Sequence, residues 1–281
     1  MVKAACYITG GDSECGDMVA FFRRINRGIE YFQRCPNKPK YRKRCERIYA
    51  PAGNAVQQNL RGLTGSGLIS YAVEDIRTHY AEQNRPYDFD MIVIEDDADF
   101  RFGNDNPQPK LRQYEATIRS ALVQVPNTDS SIPIHFIFAS PELEIWFLAD
   151  WEHSFQDCYC KKLGYETGRF YTTRLYSYIR QNLLHGFRAI ESWHRLNPDK
   201  SNKKLSEEIE ACIQQVAVDI CNDATTKEKF RMVLQASRQL HYSKKLDGAT
   251  MLSRIDPSIV AQHCQNFFAP AYECLRAATD I

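Results

Sequence analysis

The sequence predicts an α/β protein with a mainly parallel sheet flanked by helices, followed by an α-helical C-terminal half. Short apolar runs alternate with helical patterns through the first half of the chain, which is typical of βαβ units. One of these runs, residues 89–94, is apolar except at Asp90 and does not alternate, as in a central strand that is buried on both faces. From about residue 165 onward the patterns are helical. We therefore predict an α/β domain over residues 1–160 and a helical region over residues 161–281 that packs on it.

The N-terminal elements follow from local composition. Residues 4–8 form a short apolar strand that ends at the turn Thr9-Gly10-Gly11-Asp12. A helix is predicted from Asp17 through Phe32, because apolar side chains recur there at three- and four-residue spacings. A basic segment punctuated by prolines comes next, and residues 47–50 are a plausible second strand.

The remaining elements alternate until the helical half begins. The strand at residues 89–94 ends at a run of acids, and a further strand is predicted at residues 132–138. Ser140 as N-cap and Pro141 in the first turn are typical of a helix start, which predicts a helix over residues 142–150. The other predicted helices cover residues 68–76, 111–123, 207–218, 227–240 and 267–277.

Composition excludes several classes of protein. Hydrophobic residues make up 43% and charged residues 25% of the 281 residues, which is ordinary for a globular chain. The net charge of +1 indicates no overall field for a nucleic acid or a membrane, so any such binding must be local. No apolar run approaches the roughly 20 residues that span a bilayer, and the start is too short for a signal peptide, so we expect a cytoplasmic protein without a membrane partner. The ten cysteines show no C-x-x-C pair, which favours reduced thiols over zinc or disulfides.

The acids after the buried strand are the sharpest chemical feature. Glu95, Asp97 and Asp99 alternate, so in an extended segment their side chains project to one side. Ligands of open α/β sheets bind at the carboxyl ends of the strands, and clustered carboxylates repel unless a cation intervenes. Mg²⁺, or Mn²⁺, is the cation that these hard oxygen ligands favour. A solvated acidic turn that caps the next helix is the equally weighted alternative.

A second pair of acids follows the next predicted strand. Glu144 precedes Trp146 among large apolar residues, where a charge needs a partner such as a metal, a lysine or an arginine. Glu142 fits better as an exposed first-turn glutamate that the helix dipole favours.

Basic residues are concentrated in two places. The segment containing Lys40, Arg42, Lys43 and Arg44, with Tyr41 between them, is typical of a surface that follows a nucleic-acid backbone, although a solvated charged face is the commoner explanation. Lys244 near the C-terminus can neutralise a phosphate or lie on the surface. The turn at Thr9, Gly10 and Gly11 allows backbone to approach a phosphate, but it matches neither nucleotide-binding fingerprint.

Three segments together resemble an uncharacterised TOPRIM-like family that is encoded beside ATPases in prokaryotic, including antiviral, loci. They are residues 7–12 (YITGGD), residues 92–99 (IVIEDDAD) and residues 141–150 (PELEIWFLAD), the last of which is the most specific. A weaker fourth match is Tyr242-x-Lys244. The resemblance implies an OLD-nuclease-like TOPRIM fold, which is a Rossmann-like sheet, with Mg²⁺ on the acids and an ATPase partner. Thr9 stands where this family's first glutamate is expected, and Glu14 is wrongly spaced to replace it.

The leading hypothesis is a Mg²⁺-dependent nuclease that acts on DNA or RNA under the control of an ATPase in antiphage defence. The resemblance then makes Glu95, Asp97, Asp99 and Glu144 the metal ligands, and Lys244 a catalytic cation beside the phosphate. The alternative is a non-enzymatic TOPRIM-fold sensor or assembly subunit of the ATPase, which the threonine at position 9 favours. A third possibility is an enzyme that acts on a small phosphate substrate with the same acids.

Overall fold

The computed structural model describes residues 1–9, 18–35, 63–83, 86–98, 107–184, 190–193, 204–236 and 240–278. Within these ranges four strands form one sheet in which every neighbouring pair is parallel, with the order β2-β1-β3-β4. The strands are β1 (Val2–Ile8), β2 (Ile29–Cys35), β3 (Met91–Asp97) and β4 (Ile134–Ala139). The predicted α/β class, with a parallel sheet flanked by helices and a helical C-terminal half, is confirmed.

The helices divide into those between the strands and those that follow them. The first group is α1 (Met18–Ile25), α2 (Ser66–Gln83) and α3 (Gln108–Val123). The second group is α4 (Glu144–Ala149), α5 (Asp157–Leu163), α6 (Tyr165–Asn182), α7 (Leu205–Asn222), α8 (Glu228–Ala236), α9 (Ala249–Leu252), α10 (Pro257–His263) and α11 (Ala269–Ala277). Two π-helical turns, Glu152–Gln156 and Lys244–Gly248, and a 3₁₀ turn, Ile190–Ser192, lie among them. None of the helices in these ranges is both long and apolar enough to cross a membrane.

Each face of the sheet has its own core. Apolar side chains of α2 and α3, such as Leu68 and Ile118, pack with Ile92 and Ile94 of β3 on one face. On the other face α1, α4 and the C-terminal helices pack against a second set of strand residues, which includes Val93. The two sets alternate along β3 because successive side chains of a strand point to opposite faces. β3 is therefore buried on both sides, as its continuous apolar run predicts.

Aromatic rings join the sheet domain to the helical half. The ring of Trp146 stacks on Phe21 of α1 at 5.3 Å and contacts Phe268 at 4.9 Å, and all three residues are fully buried. Phe268 directly precedes α11, so the C-terminal helices complete the same core as α1 and α4. The helical region thus packs on the α/β part without a separate core of its own in the described ranges. The boundary at residue 160 stays a prediction.

The predicted helix over residues 17–32 is wrong in its second half. Helix α1 ends at Ile25, and Ile29–Cys35 is strand β2, parallel to β1. The break lies at Asn26, whose side chain accepts a hydrogen bond from the Gly28 amide at 2.8 Å. Burial in β2 alternates from Ile29 to Phe32, so the spacing of Ile29 and Phe32 after Ile25 matched a helix only by coincidence. The strand predicted at residues 47–50 lies outside the described residues.

The predicted start of the helix after β4 is also wrong. Helix α4 begins at Glu144, and Leu143 rather than Ser140 occupies the N-cap position. The Ser140 hydroxyl instead donates a hydrogen bond to the Glu191 carbonyl oxygen at 3.0 Å, and the Ser140–Pro141 peptide bond is cis. The helix after β4 therefore begins two residues later than predicted, and Glu142 is a loop residue.

Candidate functional site at the carboxyl edge of the sheet

The candidate site lies at the carboxyl ends of the parallel strands. The strand order places the topological switch point between β1 and β3, which is where open α/β sheets bind ligands. The two strands are still joined at this edge, where the Thr9 amide donates a hydrogen bond to the Glu95 carbonyl oxygen at 3.0 Å. The end of β3 and the loop after β4 therefore lie beside the crevice in which sheets of this kind bind ligands.

The acids of β3 divide between the two faces of the sheet. Glu95 and Asp97 follow Val93 in the period of two and so point to the face that the C-terminal helices cover. Asp96 points to the opposite face, where its Oδ2 accepts a hydrogen bond from the Gly65 amide at 2.7 Å, next to the start of α2. Asp96 is therefore a structural residue, and Glu95 and Asp97 are the acids directed towards the candidate site.

A lysine joins the two acids that follow β4. The Lys244 Nζ lies 3.0 Å from Glu142 Oε2 and 3.3 Å from Glu144 Oε1. Both carboxylates are buried, whereas the lysine side chain is 38% exposed. Glu142 lies in the loop before α4, and Glu144 is the first residue of α4. The lysine comes from a π-helical turn about a hundred residues later, so the helical half closes the site.

Polar side chains of the helical half hold the two glutamates in place. The Tyr242 hydroxyl donates a hydrogen bond to Glu144 Oε1 at 2.9 Å, and the Ser206 hydroxyl donates one to Glu142 Oε2 at 3.1 Å. The Tyr242 amide in turn donates to Glu210 Oε2 of α7 at 2.6 Å, which fixes the segment that carries the lysine. Glu142 thus has partners from two separate elements, α7 and the π-helical turn, whereas both partners of Glu144 come from residues 242–244.

The charges at this edge act on one another. Burial disfavours the charge of Lys244, but the carboxylates of Glu144, Glu142 and Asp97 outweigh burial and hold the pKa of its ammonium above the usual value. Burial raises the pKa of Glu144; Lys244 opposes this shift and the charge of Glu142 adds to it. Asp97 is therefore within electrostatic reach of the same ammonium as the two glutamates. Asp97 of β3 and the two glutamates that follow β4 thus act on the same ammonium.

The site offers the type of ligand atom that Mg²⁺ or Mn²⁺ prefers, but too few ligands to hold the ion. Its donors are carboxylate oxygens, and Glu144 Oε2 is buried and accepts no hydrogen bond from the described residues. Within the described ranges no three histidine, cysteine, aspartate or glutamate side chains form a group that could hold a metal ion. The chemical character of the donors fits a divalent cation, and a further ligand is needed.

Several predicted site residues lie outside the described residues: Asp99, Gly10, Gly11, Lys40, Arg42, Lys43 and Arg44. Thr9, the remaining residue of the predicted turn, is buried, and its hydroxyl donates a hydrogen bond to the Leu63 carbonyl oxygen at 3.1 Å. This contact lies on the α2 side of the sheet, away from Lys244. The structure thus brings together Asp97, Glu144 and Lys244 among the predicted residues, with Glu95 on the same face of β3.

Sequence reasoning missed part of this site. Glu142 is buried against Lys244 and Ser206, so the expectation that it is an exposed first-turn glutamate is wrong. The misplaced helix start caused this error, because a residue of a first turn is normally exposed. Glu210 and Ser206 lie on an ordinary amphipathic pattern that gives no signal for their role. A partner for Glu144, by contrast, was expected from the apolar residues around it.

No protein-family model, no curated protein and no solved structure matches this chain.

Proposed function

We propose that this protein is a metal-dependent nuclease whose site is the carboxyl edge of β3 and β4. The observation that supports the proposal is the convergence of Asp97, Glu142 and Glu144 on Lys244 beside the switch point of the sheet. Carboxylates can hold a metal ion, and an ammonium can face an anionic substrate. An edge that presents both suits a substrate whose reaction needs a bound cation, such as a phosphodiester. The resemblance to the TOPRIM-like family favours DNA or RNA over a small phosphate.

Each residue then has a defined part. Asp97 and Glu144 would hold Mg²⁺ or Mn²⁺, and Asp99, outside the described residues, would supply the further carboxylate. The bound ion would supply polarisation of the phosphate and neutralisation of its charge. Lys244 places a permanent positive charge beside the phosphate, and Tyr242 fixes the orientation of Glu144. The basic segment with Lys40, Arg42, Lys43 and Arg44 would bind the nucleic-acid backbone, and an ATPase partner would control the activity in antiphage defence.

Cleavage of end-labelled DNA and RNA in Mg²⁺ or Mn²⁺ tests this proposal. We expect the wild-type chain to cut at least one polymer and Asp97→Asn to reduce the rate at least a hundredfold. Asp96→Asn is the matched control, because its side chain lies on the other face and asparagine still accepts the hydrogen bond of the Gly65 amide. Equal loss of cleavage in both variants contradicts the assignment of Asp97.

A second candidate function is a non-enzymatic subunit of an ATPase complex. Two observations favour it: Lys244 already neutralises the buried glutamates, and Thr9 makes a structural hydrogen bond where the related nucleases place a glutamate. On this hypothesis neither polymer is cut in either metal, with or without the ATPase. The Lys244→Ala variant would then be impaired in assembly, which size-exclusion chromatography with the ATPase measures.

A further inference from the structure

A cleft far from the acidic site combines basic and aromatic side chains. It lies between the first half of α6 and the start of α8 and has a volume of about 510 Å³. Four of its lining residues are cations and three are aromatic: Arg169, Arg174, Lys227, Lys229, Tyr165, Phe170 and Phe230. Glu166 is the one acidic residue among those that line it.

The aromatic rings hold two of the cations in place. Phe170 and Phe230 stack at 4.6 Å with an angle of 15° between their planes. Arg174 lies over the Phe170 ring at 5.7 Å, and Lys229 lies over the Phe230 ring at 5.0 Å. Such cation–π contacts restrict long side chains at modest cost, so the positive charges are partly preorganised.

One large ring in the cleft remains available to a ligand. Tyr165 is 68% exposed, and its hydroxyl accepts a hydrogen bond from Arg169 Nη1 at 3.1 Å. An exposed ring that is fixed at its hydroxyl end leaves its face open, and nucleic-acid bases stack on such faces irrespective of sequence. The cleft therefore offers one stacking surface beside its four cations.

The acids near the cleft reduce its charge without cancelling it. Lys229 pairs with Glu166 at 2.6 Å, but both side chains are more than half exposed, where ion pairs are weak and exchange readily. Asp223 lies within reach of Arg174, although its carboxylate is occupied mainly by the hydroxyl and amide of Thr225. The cleft therefore favours an anionic ligand over a cationic or neutral one.

We infer that this cleft is a second binding site, separate from the acidic edge, for single-stranded nucleic acid. The phosphates contact Arg174 and Lys227, and a base stacks on Tyr165. Helix α7 connects the two sites, since Ser206 near its start contacts Glu142 and its last residue, Asn222, directly precedes Asp223. At 1.5 Å per residue that separation is roughly 25 Å, which a strand of 20 nucleotides spans easily. Only the class of ligand, a nucleic acid, rests on the proposed function.

Fluorescence anisotropy with labelled dT20 in EDTA tests the inference without metal chemistry. We expect Arg174→Ala/Lys227→Ala to weaken binding at least tenfold. The slope of log Kd against log salt should fall by about 1.4, because each phosphate contact to a single strand contributes about 0.7. Lys110→Ala/Arg112→Ala on α3 is the matched control: it removes the same charge from an exposed surface, and Lys110 also lies over a ring, that of Tyr114. This control should bind as the wild type does.

Variants of Tyr165 separate the contribution of base stacking to binding from that of charge. Tyr165→Ala should weaken binding of dT20 about tenfold, whereas Tyr165→Phe, which keeps the ring, should stay within about twofold of the wild type. Unchanged unfolding midpoints for all variants show that they fold normally.

Three results overturn the inference. They are the absence of dT20 binding to the wild type at low salt, an equal effect of the cleft and control variants, and binding of poly-glutamate as tight as that of dT20 with no effect of Tyr165→Ala. The last result assigns the cleft to an acidic polypeptide. Because binding is measured in EDTA, failure here leaves cleavage at Asp97 untouched, and an inactive Asp97→Asn protein should still bind dT20.

Discussion

Lys244 determines the charge balance of the acidic edge, because it is the cation that contacts both buried glutamates. Removing one partner of a buried ion pair leaves the other charge enclosed without compensation, and this usually costs more stability than the pair contributes. The exposed part of the lysine moderates the effect here, since water reaches the ammonium. The same lysine makes the two candidate functions distinguishable, because it either assists a bound cation or replaces one.

We predict that Lys244→Ala lowers the free energy of unfolding by about 2 kcal/mol, because Glu142 and Glu144 then face each other without a cation. Urea denaturation measures the change. Adding Glu142→Gln to this variant should restore part of the loss by removing one of the two charges. As a control, Lys161→Ala removes a lysine from the exposed ion pair with Asp157 and should cost at most about 0.5 kcal/mol. A Lys244→Ala protein as stable as this control would show that the ammonium has no structural role.

Glu191 is a buried acid outside the candidate site, and it gives the stability a specific pH dependence. Burial raises its pKa to about 7, against the opposing hydrogen bonds that its carboxylate accepts from the amides of Asn266 and Phe267. Because the pKa is higher in the folded chain than in the unfolded one, folding retains a proton between these two values. Stability from this residue is therefore fully present below about pH 4.5 and is lost as the pH rises to about 7.

We expect the free energy of unfolding to contain a contribution of up to about 3 kcal/mol that disappears between about pH 4.5 and pH 7. The Glu191→Gln variant lacks this contribution. The difference in the free energy of unfolding between wild type and variant should therefore change with pH as Glu191 titrates. Denaturant midpoints across that range measure it, with Glu152→Gln, an exposed acid, as the control. A difference independent of pH would mean that Glu191 titrates normally in the folded chain.

At the level of elements, the close approach of α5 and α6 depends on one glycine. A Cβ atom at Gly168 would lie 2.4 Å from the Cys160 Cα and 2.7 Å from the Tyr159 carbonyl oxygen. These are backbone atoms, so the two helices would have to separate. A Cβ at Gly67, near the start of α2, would meet only Leu63 Cδ2 at an ordinary 3.6 Å.

We therefore predict that Gly168→Ala destabilises the protein by more than about 3 kcal/mol or prevents folding. Gly67→Ala should be neutral or slightly stabilising, because alanine has the higher helix propensity. Thermal unfolding followed by circular dichroism compares the two. Similar midpoints for both variants would contradict the observed packing of α5 on α6.

The elements also show what the sequence can predict and why. Strand β3 is evident because a strand buried on both faces has apolar residues at successive positions, as residues 91–94 do. Strand β2 is not, because Ile29 and Phe32 lie at helical spacing after Ile25, and only the turn at Asn26 and Gly28 separates the two elements. A local pattern is also misleading at position 140. Ser140 and Pro141 are typical of a helix start, but the Ser140 hydroxyl donates its hydrogen bond to the distant Glu191 carbonyl oxygen instead of capping a helix.

For the whole molecule, one face of the sheet and the helical half share a core. Residues from Val2 to Leu275 belong to it, and Phe268 packs against both Phe21 and Trp146. The order of elements predicts that helices follow the sheet, but no local pattern indicates that Lys244 returns to Glu144. Contacts between residues a hundred positions apart depend on tertiary packing, which the local patterns of a single sequence do not indicate.

We predict that a fragment of residues 1–160 does not fold alone, because it exposes the side chains that pack on α6, α7, α10 and α11. The intact chain should unfold in one transition, with tryptophan fluorescence and far-UV circular dichroism changing together. Two separate transitions in the intact chain, or a cooperatively folded fragment, would contradict a shared core.

The central claim is that Asp97 at the end of β3 and Glu144 at the start of α4 belong to one cation site. Titration with Mn²⁺ followed by electron paramagnetic resonance tests it directly. We expect one Mn²⁺ to bind per chain and the affinity to fall at least tenfold in both Asp97→Asn and Glu144→Gln. The exposed-acid control Asp219→Asn should bind Mn²⁺ as the wild type does. The absence of saturable binding, or equal affinity in all four proteins, would contradict the claim.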